Sequence, residues 1–206
     1  MQRFPTLGAK TRTRRGWGTQ SWYNNCQRPS RPGERESLAG DPGRGSEKGR
    51  RRGFVKTLAN GKDRAEIVRR LGAIGPASER RWGKMTAREM ICHLSDAFRV
   101  SMGEKEAKPV GKWFSRYGFK WLALWFPASW PHGVQTVPEC EAKFGGTPPG
   151  EMERDRSELL ELLDRFTGQP RGFALQAHPI LGQMTEKEWM RWGYLHTDHH
   201  LRQFGG

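Results

Sequence analysis

The chain's 206 residues have room for one ordinary domain plus an extension, and 36 Lys and Arg against 22 Asp and Glu give a formal charge of +14. That charge is uneven: residues 1–54 hold 13 basic and 4 acidic side chains and the rest 23 and 18, so a pI near 10.3 is not the footprint of a nucleic-acid-binding domain. Three separated cysteines, Cys26, Cys92 and Cys140, argue against a disulfide framework and fit a reducing cytoplasm, while no stretch reads as a secretory signal or reaches the ~18 apolar residues of a membrane span.

Residues 1–53 are rich in Gly, Arg, Ser and Pro, with runs such as Arg50-Arg51-Arg52 and no apolar period. Such a segment buries too little surface to offset its ordering entropy, so a disordered basic extension is expected. Apolar patterning begins abruptly at Phe54-Val55, which suggests an extension translated from upstream of a start at Val55, and a domain over residues 54–206. The first helix of that domain is capped by Asn60 or Asp63, carries the stripe Ile67, Val68, Leu71 and Ile74, and ends at Gly75-Pro76. A second opens on the capping-box pattern Thr86…Glu89, with a stripe through Ala87, Met90, Leu94, Ala97, Phe98 and Ser101. A short aromatic helix over roughly 110–126 follows, then a Pro/Gly-rich passage to Gly150. A third long helix over about 151–166 buries Met152, Leu159, Leu160, Leu163 and Phe166, with Gly168 as its cap. The last starts at a second capping box, Thr185…Glu188, and runs to about Phe204. No strand-like alternation of useful length appears. The expected fold is all-α, a four-helix bundle with a long crossover between its second and third helices.

Candidate chemistry concentrates in Tyr194-Leu195-His196-Thr197-Asp198-His199-His200. On a helix Trp189, Trp192, His196, His200 and Gln203 share a face about 80° wide, so imidazoles point inward with large aromatics. Two buried neutral imidazoles one turn apart are hard to satisfy by hydrogen bonds alone, whereas a shared metal ion takes one lone pair from each. His199 lies about 60° from His196 on the other side, and spacing alone also allows the pair His196 with His199. His93, at the border of the second helix's stripe, is a third candidate ligand. Asp96, three residues on, is placed to orient a ligand or take a proton, and His178, in a loop just before the last helix, to contact substrate. His132 beside Pro131 reads as a loop residue, and Cys92 as core.

The residues Trp82-Gly83-Lys84-Met85-Thr86, Cys92-His93-Leu94-Ser95-Asp96, His178-Pro179 with Gly182, and His196-Thr197-Asp198-His199-His200-Leu201-Arg202-Gln203 resemble the DinB/YfiT-like superfamily of metal-dependent enzymes, within it a subfamily of unknown function. The resemblance covers about residues 54–206. It implies a four-helix bundle in which His93, His196 and His200 are the metal ligands, with Gln203 at the place of a Gln that often follows the last one. The chain departs from the usual His-Arg-Gly-Gln ending at His200-Leu201-Arg202-Gln203, which leaves Arg202 without an implied role. Thiol-dependent transferases and isomerases in the superfamily imply a low-molecular-weight thiol as candidate cosubstrate.

A three-His site is compatible with one divalent ion, Zn, Ni, Fe or Mn, and with activation of a thiol or water nucleophile against a small-molecule substrate. A homodimer is open, and nucleic acid is not obligatory. The competing expectation is non-enzymatic: a basic arm on a helical bundle, with Lys112, Arg116 and Lys120 among aromatics, lying on anionic lipid or stacking on single-stranded bases.

Overall fold

Asn60 decides where the first helix begins. Its side-chain oxygen accepts from the amides of Lys62 and Asp63, while Asp63 accepts from the Thr57 amide at 2.9 Å and ties down the entering chain. Of the two expected caps, Asn60 therefore holds the position. The computed structural model describes residues 55–110, 113–127, 129–133 and 136–206, with side chains for all but 113–117. The expected disordered extension, residues 1–53, lies outside the described residues.

Five α-helices follow in order: α1 (Gly61–Ala73), α2 (Ala87–Met102), α3 (Trp113–Trp125), α4 (Met152–Thr167) and α5 (Glu186–Arg202). No strand occurs among the described residues; His178 and Gly182 form one isolated bridge. Both predicted capping boxes form, Thr86 with Glu89 and Thr185 with Glu188, each satisfying helix-end amides reciprocally. α2 stops at Gly103, whose left-handed φ of 78° suits a residue without Cβ. Helix α5 ends two residues before Phe204, with the Gln203 amide still bonded to His200 and Leu201 carbonyls.

α2 packs along α4 and α1 along α5, α1 also meets α4, and α3 lies against α5. Leu58, Ile67, Leu71, Met90, Ile91, Leu94, Phe98, Leu159, Leu163, Phe166 and Trp189 fill the space between them. Val68, expected in the buried stripe of α1, is 38% exposed, because Ile67 takes the inward position instead. On α4, Leu162 is buried and Leu160 only partly so. Gly193 lets α5 approach the entering chain: a Cβ there would meet Leu58 Cδ1 at 2.6 Å, beside the Leu58 amide's bond to the Met190 carbonyl. This packing sets α2 and α5 so that side chains from both reach one point inside the helical core. None of the described helices is long and apolar enough to cross a membrane.

Candidate metal centre

At that point three imidazoles meet. His93 on α2 and His200 on α5 are buried, and His196, one turn before His200, is partly so. The Nε2 of His196 stands 3.1 Å from that of His93 and 3.2 Å from that of His200, and the three ligand atoms lie within 4.8 Å of one another. Two nitrogens held by one ion at ~2.0–2.1 Å are about 2.8–3.4 Å apart for angles between right-angled and tetrahedral, so both spacings at His196 suit a shared cation.

The other ring nitrogens decide where the protons are. His93 Nδ1 lies 3.0 Å from the Cys140 carbonyl, which only accepts, so Nδ1 carries the hydrogen and Nε2 a lone pair. His200 Nδ1 donates likewise to Gln203 Oε1 at 2.9 Å, leaving a second lone pair at its Nε2. Both lone pairs face His196, which as a neutral ring donates to at most one of them. Its own Nδ1 is buried without a hydrogen-bond partner. Burial pushes the pKa of all three rings down, and for His196 the neighbouring His200 and His93 push further, so extra protons do not fill the shortage of donors. A cation does: it accepts three lone pairs at once and sends the proton of each ring to its Nδ1. The three side chains thus form a group that could hold a metal ion.

His199, the open alternative to His200, is outside the group. Its ring stands edge-on to Trp82 at 4.7 Å and 5.9 Å from Trp130. Trp82 in turn stacks on His132 at 3.9 Å, giving an aromatic layer beside the centre that spacing did not reveal because its members come from three separate segments. Trp130 and Trp192 both tilt against His196, with centroids at 6.1 and 4.8 Å, and the Trp130 indole N–H donates to the Ala123 carbonyl.

His178 comes to the same wall but not among the three. Its ring lies 5.2 Å from that of Trp192 and 5.6 Å from that of Trp189. Nδ1 accepts from the Ile180 and Leu181 amides at 3.1 and 3.0 Å, so its proton sits on Nε2, and burial holds its pKa down at about 4. Gly182, at φ 71°, closes the bridge that fixes this loop.

Asp96 is fully buried. Its oxygens accept from the Thr147 amide and hydroxyl at 2.6 and 2.7 Å and pair with Lys105 and Arg99 at 2.8 and 3.1 Å, rather than with a histidine. Burial alone would raise its pKa; Lys105 and the Thr147 hydrogen bonds outweigh that and hold the carboxyl below its usual range. Cys92 is core, its thiol directed at Asp155 Oδ2 at 3.6 Å and its pKa pushed up to about 12 by burial. Arg202, without an implied role, pairs with Asp198 at 2.9 Å and donates to Ser129 Oγ at 2.7 Å; Asp198 also meets Arg70 at 2.7 Å. Arg202 therefore ties the segment carrying Trp130 to the end of α5.

No curated protein and no solved structure matches the chain. A family model does, over residues 59–205, and that span takes in all of the helices and every side chain of the centre. The chain therefore belongs to the family described as proteins of unknown function, DUF1569.

Proposed function

We propose that the protein is a metal-dependent enzyme in which His93, His196 and His200 hold one divalent ion inside a four-helix bundle of DinB/YfiT-like type, α3 being part of the crossover. The observation that carries this reading is the convergence of three Nε2 atoms, two of which are lone pairs fixed by the Cys140 carbonyl and Gln203. Such an ion keeps its full charge among neutral ligands and supplies the Lewis acidity that makes a thiol or water nucleophilic near neutral pH. Transfer of a low-molecular-weight thiol to an electrophile, isomerisation dependent on such a thiol, or hydrolysis of an ester or amide are the reactions that fit.

The protein's own groups divide the remaining work. Trp192 and Trp130 flank His196 and exclude water from that side. His178, with Nδ1 engaged, presents an Nε2–H that suits an acceptor oxygen on a small-molecule substrate, and its low pKa keeps it a neutral donor. Asp96 has both oxygens occupied, which suits positioning better than proton transfer. The test is elemental analysis of protein purified without added metal or chelator, followed by a screen of thiol cosubstrates. One equivalent of a divalent metal and thiol-dependent turnover are expected; protein without stoichiometric metal overturns the reading.

One observation favours a second reading, contact with a lipid surface. Phe119, Trp121, Leu122 and Phe126 of the α3 segment are each close to half exposed or more. Lys120, however, is bound to Glu188 at 3.0 Å and to the Gln183 carbonyl, so it does not face outward with them. Co-sedimentation with anionic vesicles, lost on Trp121→Ala, would support this reading.

A further inference from the structure

Among the described residues α2 makes two hydrogen-bonded contacts with the crossover, three residues apart. His93 Nδ1–H meets the Cys140 carbonyl at 3.0 Å, and one turn later Asp96 receives the amide and hydroxyl of Thr147. Between the two contacts the backbone folds on itself as one tight unit. The amides of Phe144 and Gly146 both bond to the Glu141 carbonyl at 2.9 Å, and that of Gly145 to the Pro138 carbonyl at 3.1 Å. Gly146 is packed so closely that a Cβ would stand 2.6 Å from the Glu141 carbonyl carbon. A turn this compact transmits position: where Thr147 is fixed, Cys140 is fixed.

From these contacts we infer that Asp96 is a positioning residue for the metal centre, acting through Thr147 and the 138–147 turn to hold the Cys140 carbonyl against His93. The inference rests on the metal reading above. The carbonyl keeps the His93 proton on Nδ1 and its lone pair on Nε2, facing His196. Were the turn to lift, the ring could carry its proton on Nε2 or rotate, and a lone pair would be lost from the centre. Asp96 suits the task because its buried carboxylate is kept ionised by Lys105, with Arg99 beside it, so the Thr147 bonds are charge-assisted and shielded from water. Coupling of this kind is reciprocal: an ion on Nε2 makes Nδ1–H a stronger donor and seats the turn more firmly.

Zinc titration of the full chain against a chromophoric chelator tests this. Asp96→Asn is expected to weaken zinc binding about tenfold, at the low end of the about 10- to 100-fold seen when a ligand's own supporting partner is removed. Thr147→Val should weaken it less, and Thr147→Ser should restore it. A merely structural Asp96 would lower the melting temperature yet leave zinc affinity of the folded protein and the His93 Nδ1–H proton resonance unchanged. Hydrogen exchange on the unaltered protein keeps the test open even if a variant misfolds: zinc should slow the Thr147 and Gly146 amides. Unchanged exchange there, or wild-type zinc affinity in Asp96→Asn, overturns the coupling while the metal reading stands. A wild-type protein that takes up no zinc or other divalent ion overturns both.

Discussion

His200 and His199 are neighbours in the chain and belong to different environments. His200 turns inward to His93 and His196 with its second nitrogen held by Gln203, while His199 leans on Trp82 and Trp130 in the adjoining aromatic layer. The same division runs through all six histidines. Three direct Nε2 at one another, although His196 also meets two tryptophans; His132, His178 and His199 are packed against tryptophans and stand outside that group. The residue type is common to both groups, so the difference lies in what holds the other ring nitrogen and in what the rings face. A lone pair aimed at another lone pair is a cost only a cation or a proton removes, and burial disfavours the proton.

The largest effect should come from breaking the inner group. His196→Ala, His200→Ala or His93→Ala should each abolish stoichiometric metal, read by elemental analysis, with the helical circular dichroism largely kept. Metal should stabilise the wild type alone, by about 2.7 kcal/mol at a free concentration one hundred times Kd. In the metal-free state His196→Ala should be tolerated best, since it removes the ring whose buried Nδ1 has no partner. Equal stabilisation of all four proteins by zinc would place the ion elsewhere.

Next in size is Gln203→Leu, which leaves all three ligands and removes only the acceptor on His200 Nδ1. A loss of about 10- to 100-fold in metal affinity is expected, with one ion still bound at saturation. An unchanged affinity would mean that Gln203 is packing and nothing more.

Much of this centre was legible in the sequence because helices are periodic. The four-residue spacing of His196 and His200, and their shared face with Trp189 and Trp192, follow from about 100° per residue, and the two capping boxes fixed where α2 and α5 start. Gln203 falls on that same face by periodicity, and only the family resemblance ties it to the last ligand. The Cys140 carbonyl and Thr147 were beyond reach: a backbone carbonyl has no residue-type signal, and both lie on the 127–150 passage, whose path depends on tertiary contacts. For the same reason Trp82, His132 and Trp130 could not be joined before folding brought them together. Val68 failed because a stripe of apolar letters does not say which edge faces solvent.

A smaller effect separates His178 from the inner group through pH. Burial lowers its pKa from the ordinary 6.5 to about 4, and two amide N–H groups facing Nδ1 oppose protonation there. The unfolded chain takes up this proton near pH 6.5 and the folded chain only near 4. Its contribution to stability is thus fully present above about pH 6.5 and is lost as pH falls toward 4. His178→Asn keeps an oxygen for the two amides and removes the titration. Urea unfolding of metal-free protein across this window should show the stability of the variant falling less steeply, by up to about one proton, while the inner histidines contribute to both proteins alike.

The smallest effect on metal, and the sharpest on the division itself, is expected from His199→Ala. Removing this ring deletes its contacts with Trp82 and Trp130, at a cost on the order of 1 kcal/mol in stability. It leaves His93, His196 and His200 and the partners of their Nδ1 atoms untouched, so one ion per chain should remain, bound within about threefold of wild type given how little of the ligands' own support is lost. His199→Ala and His200→Ala differ by one position, and two ligands drawn from one helix must stand on one face. If the His199 variant lost the ion and the His200 variant kept it, α5 would have to be turned by about 50° and the pair would be His196 with His199. Trp192, now against His196, lies on the His199 side of it and would then move toward the middle of the wall, so the two variants report on the orientation of the whole helix as well as on a single ligand.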